Sequence, residues 1–288
     1  MSNLFEETKY ILKKYGITAN KSLGQNFLIN DEVVTGIVEG ARVTKEDLVI
    51  EIGPGLGSLT KELLERAGKV IAIELDKRMI EILTDRFSLY DSFELINEDV
   101  LKVDLDGLIQ KNLKTTNSLK SVKIVANLPY YITTPFVMKL LEDNLPIESI
   151  TIMIQKEVAD RLIETPGGKN TGAITYAIYY YAAAEEIFKV EPNSFIPEPA
   201  VESKIIKLTI RNQKSVCVEN EELMFKIIKY AFMQRRKTLV NALENSKLFK
   251  SKNDIIDMLE KLGLNAKIRG EALSLNDYAN ITNFVTKM

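Results

Sequence analysis

Short apolar runs alternate with amphipathic helical patterns between Leu48 and residue 210. The runs predict strands near residues 48–52, 70–74, 93–97, 122–126, 149–155, 186–190 and 203–210. Helical spacing separates several of them, as over Leu59–Ala67 and Lys77–Arg86. Strands that alternate with helices predict an α/β fold, here a doubly wound, seven-stranded sheet with right-handed crossovers. The last two strands are close enough in the chain to pair antiparallel at an edge of that sheet.

The chain before the first of these strands predicts two helices joined by an unusual loop. The first helix covers residues 3–15, and its predicted buried side carries Leu4, Tyr10, Ile11 and Leu12. The second begins at the capping pair Asn30–Asp31. Between them lie Phe27 and Leu28, which must be buried against another part of the chain. Residues 20–28 are therefore either an ordinary interhelix loop or a segment that faces a ligand.

The pattern changes after Arg211. Strand signals end there, and helical spacing continues over Glu221–Ala231, Thr238–Leu243, Asn253–Leu262 and Asn276–Val285. We therefore predict two domains, an α/β domain over residues 1–212 and a small all-α domain over residues 213–288.

Composition excludes several kinds of chemistry. The 288 residues include one cysteine, Cys217, and no histidine. Without histidine there is no Ser-His or Cys-His nucleophile pair and no His-ligated zinc. A zinc-dependent base deaminase needs His and Cys or several Cys ligands, so this class is excluded too. The chemistry must use carboxylates, amides, aromatic rings, lysines or a cofactor, and we expect no metal.

The same composition is typical of a soluble protein in a reducing compartment. Hydrophobic residues make up 45% of the chain and charged residues 27%, as in globular proteins. The uncharged stretch over residues 170–184 is too short and too polar to cross a membrane, which takes about 20 apolar residues. Residues 1–16 lack the apolar core of a secretion signal. A lone cysteine rules out an internal disulfide, and we expect a cytoplasmic protein without a membrane partner.

A glycine-rich turn directly follows the first strand of the predicted sheet. Its sequence, Gly53-Pro54-Gly55-Leu56-Gly57, lets backbone N–H groups approach a ligand closely. It departs from the dinucleotide fingerprint G-x-G-x-x-G/A, because Ser58 stands where that pattern has Gly or Ala. The turn therefore favours a cofactor without a pyrophosphate.

Carboxylates follow the next two strands. Glu74 closes the second strand, where an acid can accept hydrogen bonds from both ribose hydroxyls of an adenosine moiety. Asp99 follows the third strand, where it can receive the N6 amine of the cofactor's adenine. Simpler interpretations remain open, since Glu74 can be a solvated strand-end carboxylate and Asp99 can cap the next segment.

The fourth strand ends in Asn127-Leu128-Pro129-Tyr130. The carboxyl ends of the strands form the ligand-binding edge of an open α/β sheet. The Asn127 side-chain oxygen and the Leu128 carbonyl offer two acceptors for an exocyclic amine. Pro129 stiffens the turn, and Tyr130 supplies a flat aromatic face. These residues suit a nucleobase amino group, although a strand followed by a Pro-aromatic turn also occurs in other α/β proteins.

Together these motifs resemble a known family. Glu51–Gly57 with Asn127–Tyr131 is similar to the S-adenosylmethionine-dependent ribosomal RNA adenine N6,N6-dimethyltransferases of the KsgA/RsmA type. The resemblance runs nearly from end to end and includes Leu23–Leu28, Phe195–Pro199, Val201–Ser203, Gln234–Lys237 and Arg269–Leu273. It implies a Rossmann-like class I methyltransferase fold with a small helical RNA-binding domain.

The resemblance also implies an activity and a set of site residues. The cofactor S-adenosylmethionine is expected to be bound by Asn26, Leu28, Gly53, Gly55, Glu74, Asp99 and Asn127. The catalytic set is expected to comprise Asn127, Leu128, Pro129, Tyr130 and Phe195. The implied reaction is N6,N6-dimethylation of two adjacent adenosines in a hairpin loop near the 3′ end of small-subunit (16S) rRNA. The implied partner is a precursor of the 30S ribosomal subunit.

A cationic segment in the helical domain is expected to contact RNA. The formal net charge is only −2, but residues 226–250 carry seven Lys and Arg residues against Glu244 alone, a local charge of +6. Arg235, Arg236 and Lys237 are the predicted RNA-binding residues within it. Such a run can also be a solvated helix face. Nothing in the sequence indicates an obligate dimer, and we expect a monomer.

Two other functions are compatible with parts of this pattern. The large-subunit (23S) rRNA adenine N6-methyltransferases of antibiotic resistance share the glycines, Asn-x-Pro-Tyr and the proline pair. Leu128 and the Arg269–Leu273 segment favour the small-subunit enzyme. A non-catalytic RNA-binding assembly factor with the same fold is disfavoured, because Glu74, Asn127 and Tyr130 are all present.

Overall fold

The computed structural model describes residues 3–20, 23–129, 132–168 and 170–287. The chain forms two compact units. The first comprises Met1–Ala159 and Glu185–Ile210, and the second comprises Asp160–Ala184 and Arg211–Met288. The second unit thus combines the C-terminal helices with residues 160–184, which come earlier in the sequence than the last part of the first unit.

The seven predicted strands form where the apolar runs place them, and two short strands, over Phe27–Leu28 and Phe195–Ile196, were not predicted. They are β1 (Phe27–Leu28), β2 (Asp47–Ile52), β3 (Lys69–Glu74), β4 (Phe93–Asn97), β5 (Ser121–Asn127), β6 (Ser149–Gln155), β7 (Ala182–Val190), β8 (Phe195–Ile196) and β9 (Ser203–Ile210). The helices are α1 (Leu4–Lys14), α2 (Asp31–Ala41), α3 (Ser58–Arg66), α4 (Lys77–Phe87), α5 (Leu105–Thr115), α6 (Thr133–Glu142), α7 (Lys156–Ile163), α8 (Ala173–Tyr181), α9 (Glu221–Met233), α10 (Leu239–Leu243), α11 (Lys252–Lys261) and α12 (Leu275–Thr286).

In the described part of the chain, seven strands form one sheet in the order β4-β3-β2-β5-β6-β9-β7. The pairs β2–β3, β3–β4, β2–β5 and β5–β6 are parallel, and β6–β9 is antiparallel. A helix joins each successive pair from β2 to β6. The predicted doubly wound, seven-stranded α/β sheet is confirmed, and β7 and β9 are neighbours at its edge. Because the strand order reverses at β2, a crevice is expected at the carboxyl ends of β2, β3 and β5.

The central strands are buried except at some of their end residues, as parallel strands covered on both faces are. Every residue of β2 is buried, including Asp47 and Glu51. Asp47, at the N-terminal end of β2, forms an ion pair, since Lys123 Nζ of β5 lies 2.8 Å from Asp47 Oδ2. A buried charge with such a partner avoids most of the cost of leaving water.

The N-terminal helix forms as predicted, but its buried side is partly different. Leu4 and Ile11 are buried, whereas Tyr10 is 66% exposed, so its placement on the buried side is wrong. Thr8 is buried instead, because Leu4, Thr8 and Ile11 lie at the i, i+4, i+7 spacing of one helical stripe. Tyr10 falls outside that stripe.

The segment between α1 and α2 pairs with a distant part of the chain. β1 pairs antiparallel with β8, with Phe27 opposite Ile196 and Leu28 opposite Phe195. Phe27 and Leu28 are buried, as predicted from their apolar character.

The second unit contains the helices predicted after Arg211, and also α8, for which the sequence carried no clear helical signal. Tyr176 of α8 is fully buried, and its hydroxyl donates a hydrogen bond to the Leu273 carbonyl at 2.6 Å. Gly270 packs so closely that an added Cβ would lie 2.6 Å from Ala231 Cβ. Among the described residues, no helix is long and apolar enough to cross a membrane.

Candidate cofactor and substrate site

A cavity lies at the carboxyl ends of β2, β3, β4 and β5, where the strand order reverses. Its lining comprises residues 23–28, 51–56, 58–59, 73–75, 98–101, 127–129, 132 and 195. The predicted site residues that border it are Asn26, Leu28, Gly53, Gly55, Glu74, Asp99, Asn127, Leu128, Pro129 and Phe195. Tyr130, the remaining predicted residue of this set, lies outside the described residues. Four strand ends and two distant loops thus contribute to one cavity.

The glycine turn after β2 approaches two other parts of the cavity closely. Gly53 and Gly55 have φ values of 65° and 57°, in the left-handed region that favours glycine. A Cβ on Gly53 would lie 3.8 Å from the Asn127 carbonyl oxygen, and one on Gly55 would lie 3.6 Å from the Phe27 ring. The turn therefore needs glycine mainly for its backbone conformation.

Two backbone N–H groups orient the Glu74 carboxylate, one at each oxygen. Oε2 accepts a hydrogen bond from the Gly55 N–H at 3.1 Å, and Oε1 accepts one from the Asp76 N–H at 2.8 Å. The residue is only 7% exposed, and this burial raises the pKa of Glu74. Each oxygen keeps a further lone pair, so the oriented carboxylate can still accept hydrogen bonds from a ligand.

Glu51 is a cavity residue for which the sequence predicted no separate role. It is 1% exposed and accepts a hydrogen bond from Thr60 Oγ1 at 2.6 Å. Burial raises the pKa of Glu51 to about 8, the Thr60 hydrogen bond opposes this shift, and the nearby Glu74 carboxylate adds to it. The sequence did contain a signal for a buried functional acid here, because Glu51 lies near the end of an otherwise apolar strand.

Asp99 is both a capping residue and a residue of the cavity lining. Its Oδ1 accepts a hydrogen bond from the Leu101 N–H at 3.0 Å, so it caps the turn that follows β4. It also lines the cavity. Two apolar side chains that the sequence did not single out also line the cavity, Leu75 at 47% and Leu101 at 36% exposure. Such side chains can cover the faces of a planar ring.

The Asn127-Leu128-Pro129 turn is fixed from both sides. The Leu128 N–H donates to the Met153 carbonyl at 3.2 Å, and the Ile132 N–H donates to the Pro129 carbonyl at 3.2 Å. Gly24 contacts Pro129, since a Cβ on Gly24 would lie 3.8 Å from Pro129 Cβ. Within the described residues we find no hydrogen-bond partner for the Asn127 side-chain amide, which leaves its oxygen available to a ligand.

The charge of the cavity indicates what kind of ligand it fits. Its ionisable lining residues, among those described, are Glu51, Glu74, Glu98 and Asp99, and all are acidic. Because the described lining has no cationic group, it can accommodate a ligand that carries a sulfonium and an ammonium group, and it disfavours a pyrophosphate. The residues present therefore fit S-adenosylmethionine. Among the described residues, no group of acids and cysteines has the arrangement of a metal site.

The predicted RNA-binding residues lie in the second unit, at the end of α9 and in the turn after it. Arg235, Arg236 and Lys237 are exposed. Arg235 Nη2 lies 3.3 Å from Glu271 Oε2, and Arg269 Nη1 lies 4.0 Å from Glu271 Oε1. The structure thus joins two motifs of the resemblance, Gln234–Lys237 and Arg269–Leu273, through one carboxylate.

The fold and the cavity together define a class I S-adenosylmethionine-dependent methyltransferase. A family model described as "Ribosomal RNA adenine dimethylase" matches residues 16–287. The chain therefore belongs to the ribosomal RNA adenine dimethylase family, whose members are methyltransferases that use S-adenosylmethionine. The family predicted from the motifs is confirmed.

Relatives and solved structures agree with this assignment. The chain is 46% identical over 282 residues to "Ribosomal RNA small subunit methyltransferase A" of Alkaliphilus oremlandii, which covers 98% of this chain and 97% of that protein. It is 27% identical to a dimethyladenosine transferase from Plasmodium falciparum, with a TM-score of 0.74 and coverage of 91% and 98%. The 23S rRNA methyltransferase ErmE is 23% identical, with a TM-score of 0.68 and coverage of 91% and 100%, and shows the shared fold.

Proposed function

We propose that the chain transfers methyl groups to N6 of two adjacent adenosines in a hairpin loop near the 3′ end of small-subunit (16S) rRNA. The observation that carries the proposal is the shared cavity, in which the acidic ends of β2–β4 adjoin the Asn127-Leu128-Pro129 turn. The curated relatives are named for the small ribosomal subunit, and this supports the choice of substrate.

The cofactor half of the cavity is the part that lies over β2, β3 and β4. We assign Glu74 to the ribose hydroxyls, because its carboxylate is oriented by two backbone N–H groups and faces the cavity. Asp99 is assigned to the adenine amine. Asn26, Leu28, Gly53 and Gly55 complete the cofactor-binding set, together with Asn127. Their position on one cavity lining supports these roles.

The substrate half is the end of β5. The Asn127 side-chain oxygen and the Leu128 carbonyl accept hydrogen bonds from the N6 amine of an extruded adenosine and stabilise the positive charge that develops on that nitrogen. The methylated nitrogen then releases one proton to water. Pro129 keeps the turn rigid, Tyr130 stacks on the base, and Phe195 lies nearby. S-adenosylmethionine supplies, when bound, a methyl group on a good leaving group. The protein therefore contributes alignment and electrostatic support and needs no histidine base.

The substrate RNA is proposed to bind through the helical region, residues 213–288, while residues 1–212 carry the transferase site. Exposed Arg235, Arg236 and Lys237 are suited to phosphate contacts, which supply most of the affinity for RNA. A hairpin loop presents unstacked bases, so extruding one costs less there than in a duplex. We further propose that the chain acts as a cytoplasmic monomer on a precursor of the 30S subunit.

The proposal is tested by methyl transfer from labelled S-adenosylmethionine to unmodified small and large ribosomal subunits in parallel, followed by nucleoside analysis. We expect dimethyladenosine from the small subunit alone. Asn127→Ala is expected to lower the transfer rate about 100-fold or more, because it removes an acceptor for the N6 amine, while the chain still binds RNA.

The matched control is Asn117→Ala, which truncates an exposed asparagine outside the cavity and should leave the rate unchanged. Product from large-subunit RNA alone would move the substrate to the antibiotic-resistance class. Wild-type rates for Asn127→Ala would contradict the assignment of the base pocket.

A further inference from the structure

A hydrogen-bonded cluster outside the proposed catalytic and cofactor-binding residues ties the N-terminal segment to the end of β3. It consists of Gln25, Asp76 and Arg78, here called the Asp76 cluster. Asp76 Oδ2 accepts hydrogen bonds from Gln25 Nε2 at 2.8 Å and from Arg78 Nη2 at 2.6 Å, and Oδ1 accepts one from Arg78 Nε at 3.0 Å. The cluster therefore contains a charge-assisted network rather than a single contact.

The cluster extends further into the chain that precedes the cavity. Arg78 Nη1 donates to the Thr18 carbonyl at 3.2 Å. Gln25 Oε1 accepts a hydrogen bond from the Asn20 N–H at 2.9 Å. The polar atoms of the Gln25 side chain are thus engaged with the cluster, although the residue borders the cavity.

Asp76 occupies a position that links this network to the cofactor acid. Its own N–H donates to Glu74 Oε1 at 2.8 Å, and its carboxylate caps the first turn of α4 by accepting from the Arg78 N–H at 3.1 Å. The side chain is nearly buried, with 9% of the residue exposed. Hydrogen bonds from the Arg78 side chain hold the pKa of Asp76 below its usual range, so the carboxylate is ionised at neutral pH.

The segment between the cluster and β1 is short and carries two proposed cofactor residues. Asn26 directly follows Gln25, and Leu28 is paired with Phe195 in the β1–β8 ribbon. The cluster therefore holds the segment at one end and the ribbon holds it at the other. A shift of Gln25 necessarily moves Asn26, because the two residues share a peptide bond.

We infer that the Asp76 cluster is a positioning device that places Asn26 and Leu28 against the cofactor and thereby sets cofactor affinity. The inference rests on the proposed function, since it takes this cavity as the cofactor site. Asp76 and Arg78 do not line the cavity, so they act through Gln25 and the residues after it. The alternative is that Asp76 serves only as the helix cap of α4.

A reciprocal exchange of the acid and the amide distinguishes these two roles. Gln25→Glu places a second carboxylate against Asp76, and Asp76→Asn removes the charge that Arg78 and Gln25 contact, while an asparagine still caps α4. Each single change is expected to raise the Kd of S-adenosylmethionine about tenfold. The double change restores one acid and one amide in exchanged positions, so Kd should return to within about threefold of the wild-type value.

Calorimetric titration of S-adenosylmethionine gives Kd, and steady-state rates at saturating cofactor should stay within about twofold of wild type, because the proposed base pocket is unchanged. Amide exchange of the cofactor-free protein supplies a readout independent of activity. Exchange at residues 23–28 should be faster in the single variants than in the double variant. Gln25→Ala, which leaves the α4 cap intact, should weaken cofactor binding in the same direction.

The matched control is Asp85→Asn, which breaks an exposed ion pair between α1 and α4, with Lys14 Nζ 3.0 Å from Asp85 Oδ2, and should leave Kd unchanged. Unchanged Kd in folded single variants, or weak binding that the double change does not repair, would overturn the positioning role. The proposed function is tested separately by Asn127→Ala, whose rate loss does not depend on the Asp76 cluster. Failure of one idea is therefore distinguishable from failure of the other.

Discussion

Two buried carboxylates at neighbouring strand ends, Glu51 and Glu74, have unlike surroundings. Glu74 accepts hydrogen bonds from two backbone N–H groups, whereas Glu51 accepts one hydrogen bond, from the Thr60 hydroxyl. Burial raises the pKa of both. Because Glu51 is the more deeply buried and the less compensated of the two, its protonation should be visible in the stability of the free protein.

The pH dependence of this stability has a definite sign. The pKa of Glu51 is about 8 in the folded chain, whereas the ordinary value, which applies to the unfolded chain, is 4.5. Between these values the unfolded chain has released the proton and the folded chain has kept it. The free energy of unfolding therefore falls as the pH rises through this window, by up to about 1.4 kcal/mol per pH unit.

Glu51→Gln removes this titration and keeps an acceptor for the Thr60 hydroxyl. The free energy of unfolding of the variant minus that of wild type should increase from pH 5 to pH 8. Urea unfolding without cofactor measures this difference. Glu98→Gln, at an exposed acid of the same cavity, is the control and should show no such trend. A stability difference that is equal at both pH values would contradict the assignment.

Arg86 of α4, a partly buried residue, joins elements of the first unit. Its guanidinium donates to the Leu56 carbonyl in the glycine turn and pairs with Glu7 of α1. Its side chain is 15% exposed, and burial lowers the pKa of Arg86. One residue thus fixes α1 and α4 to the turn that is proposed to face the cofactor.

Arg86→Ala is expected to lower the free energy of unfolding by roughly 2–4 kcal/mol, because Glu7 and the Leu56 carbonyl lose a charged partner. Lys14→Ala breaks another link between α1 and α4, but that ion pair is exposed, so its loss should lower the free energy of unfolding much less. Urea unfolding of both variants measures the difference. Equal, small losses would show that Arg86 does not hold these elements together.

The cavity of the first unit and a segment of the second unit differ in the sign of their charge. The described lining of the cavity has only acidic ionisable residues, whereas residues 226–250 of the second unit carry a local charge of +6. The net charge of −2 conceals this separation. An acidic cavity suits a cationic cofactor, and a cationic segment suits an RNA backbone.

Binding of unmodified small-subunit rRNA should therefore weaken steeply with salt. Arg236→Ala is expected to reduce the slope of log K against log salt concentration by about one, as for one lost phosphate contact. Lys111→Ala removes the same charge from an exposed position on α5 and should leave the slope unchanged. Equal slopes for the two variants would show that the effect follows net charge and not the cationic segment.

The sequence by itself determined the order of the seven strands of the sheet and the motifs at the strand ends. Apolar runs predicted all seven strands of the sheet, and the runs are nearly continuous in β2, β5 and β6 because these central strands are covered on both faces. The end of each parallel strand then placed Gly53, Glu74, Asp99 and Asn127 at one edge. The family followed from those motifs, since their residue types and spacing are specific.

Only the tertiary structure decided which distant residues meet. Periodicity did not exclude Tyr10 from the core or reveal α8, whose Tyr176, Tyr180 and Tyr181 are buried and hydrogen-bond to residues far along the chain. It also did not show that Asp76 holds Gln25, or that Glu271 pairs with Arg235. A pattern of burial is local to each element, whereas hydrogen-bond partners and pKa shifts depend on the neighbours that folding brings together.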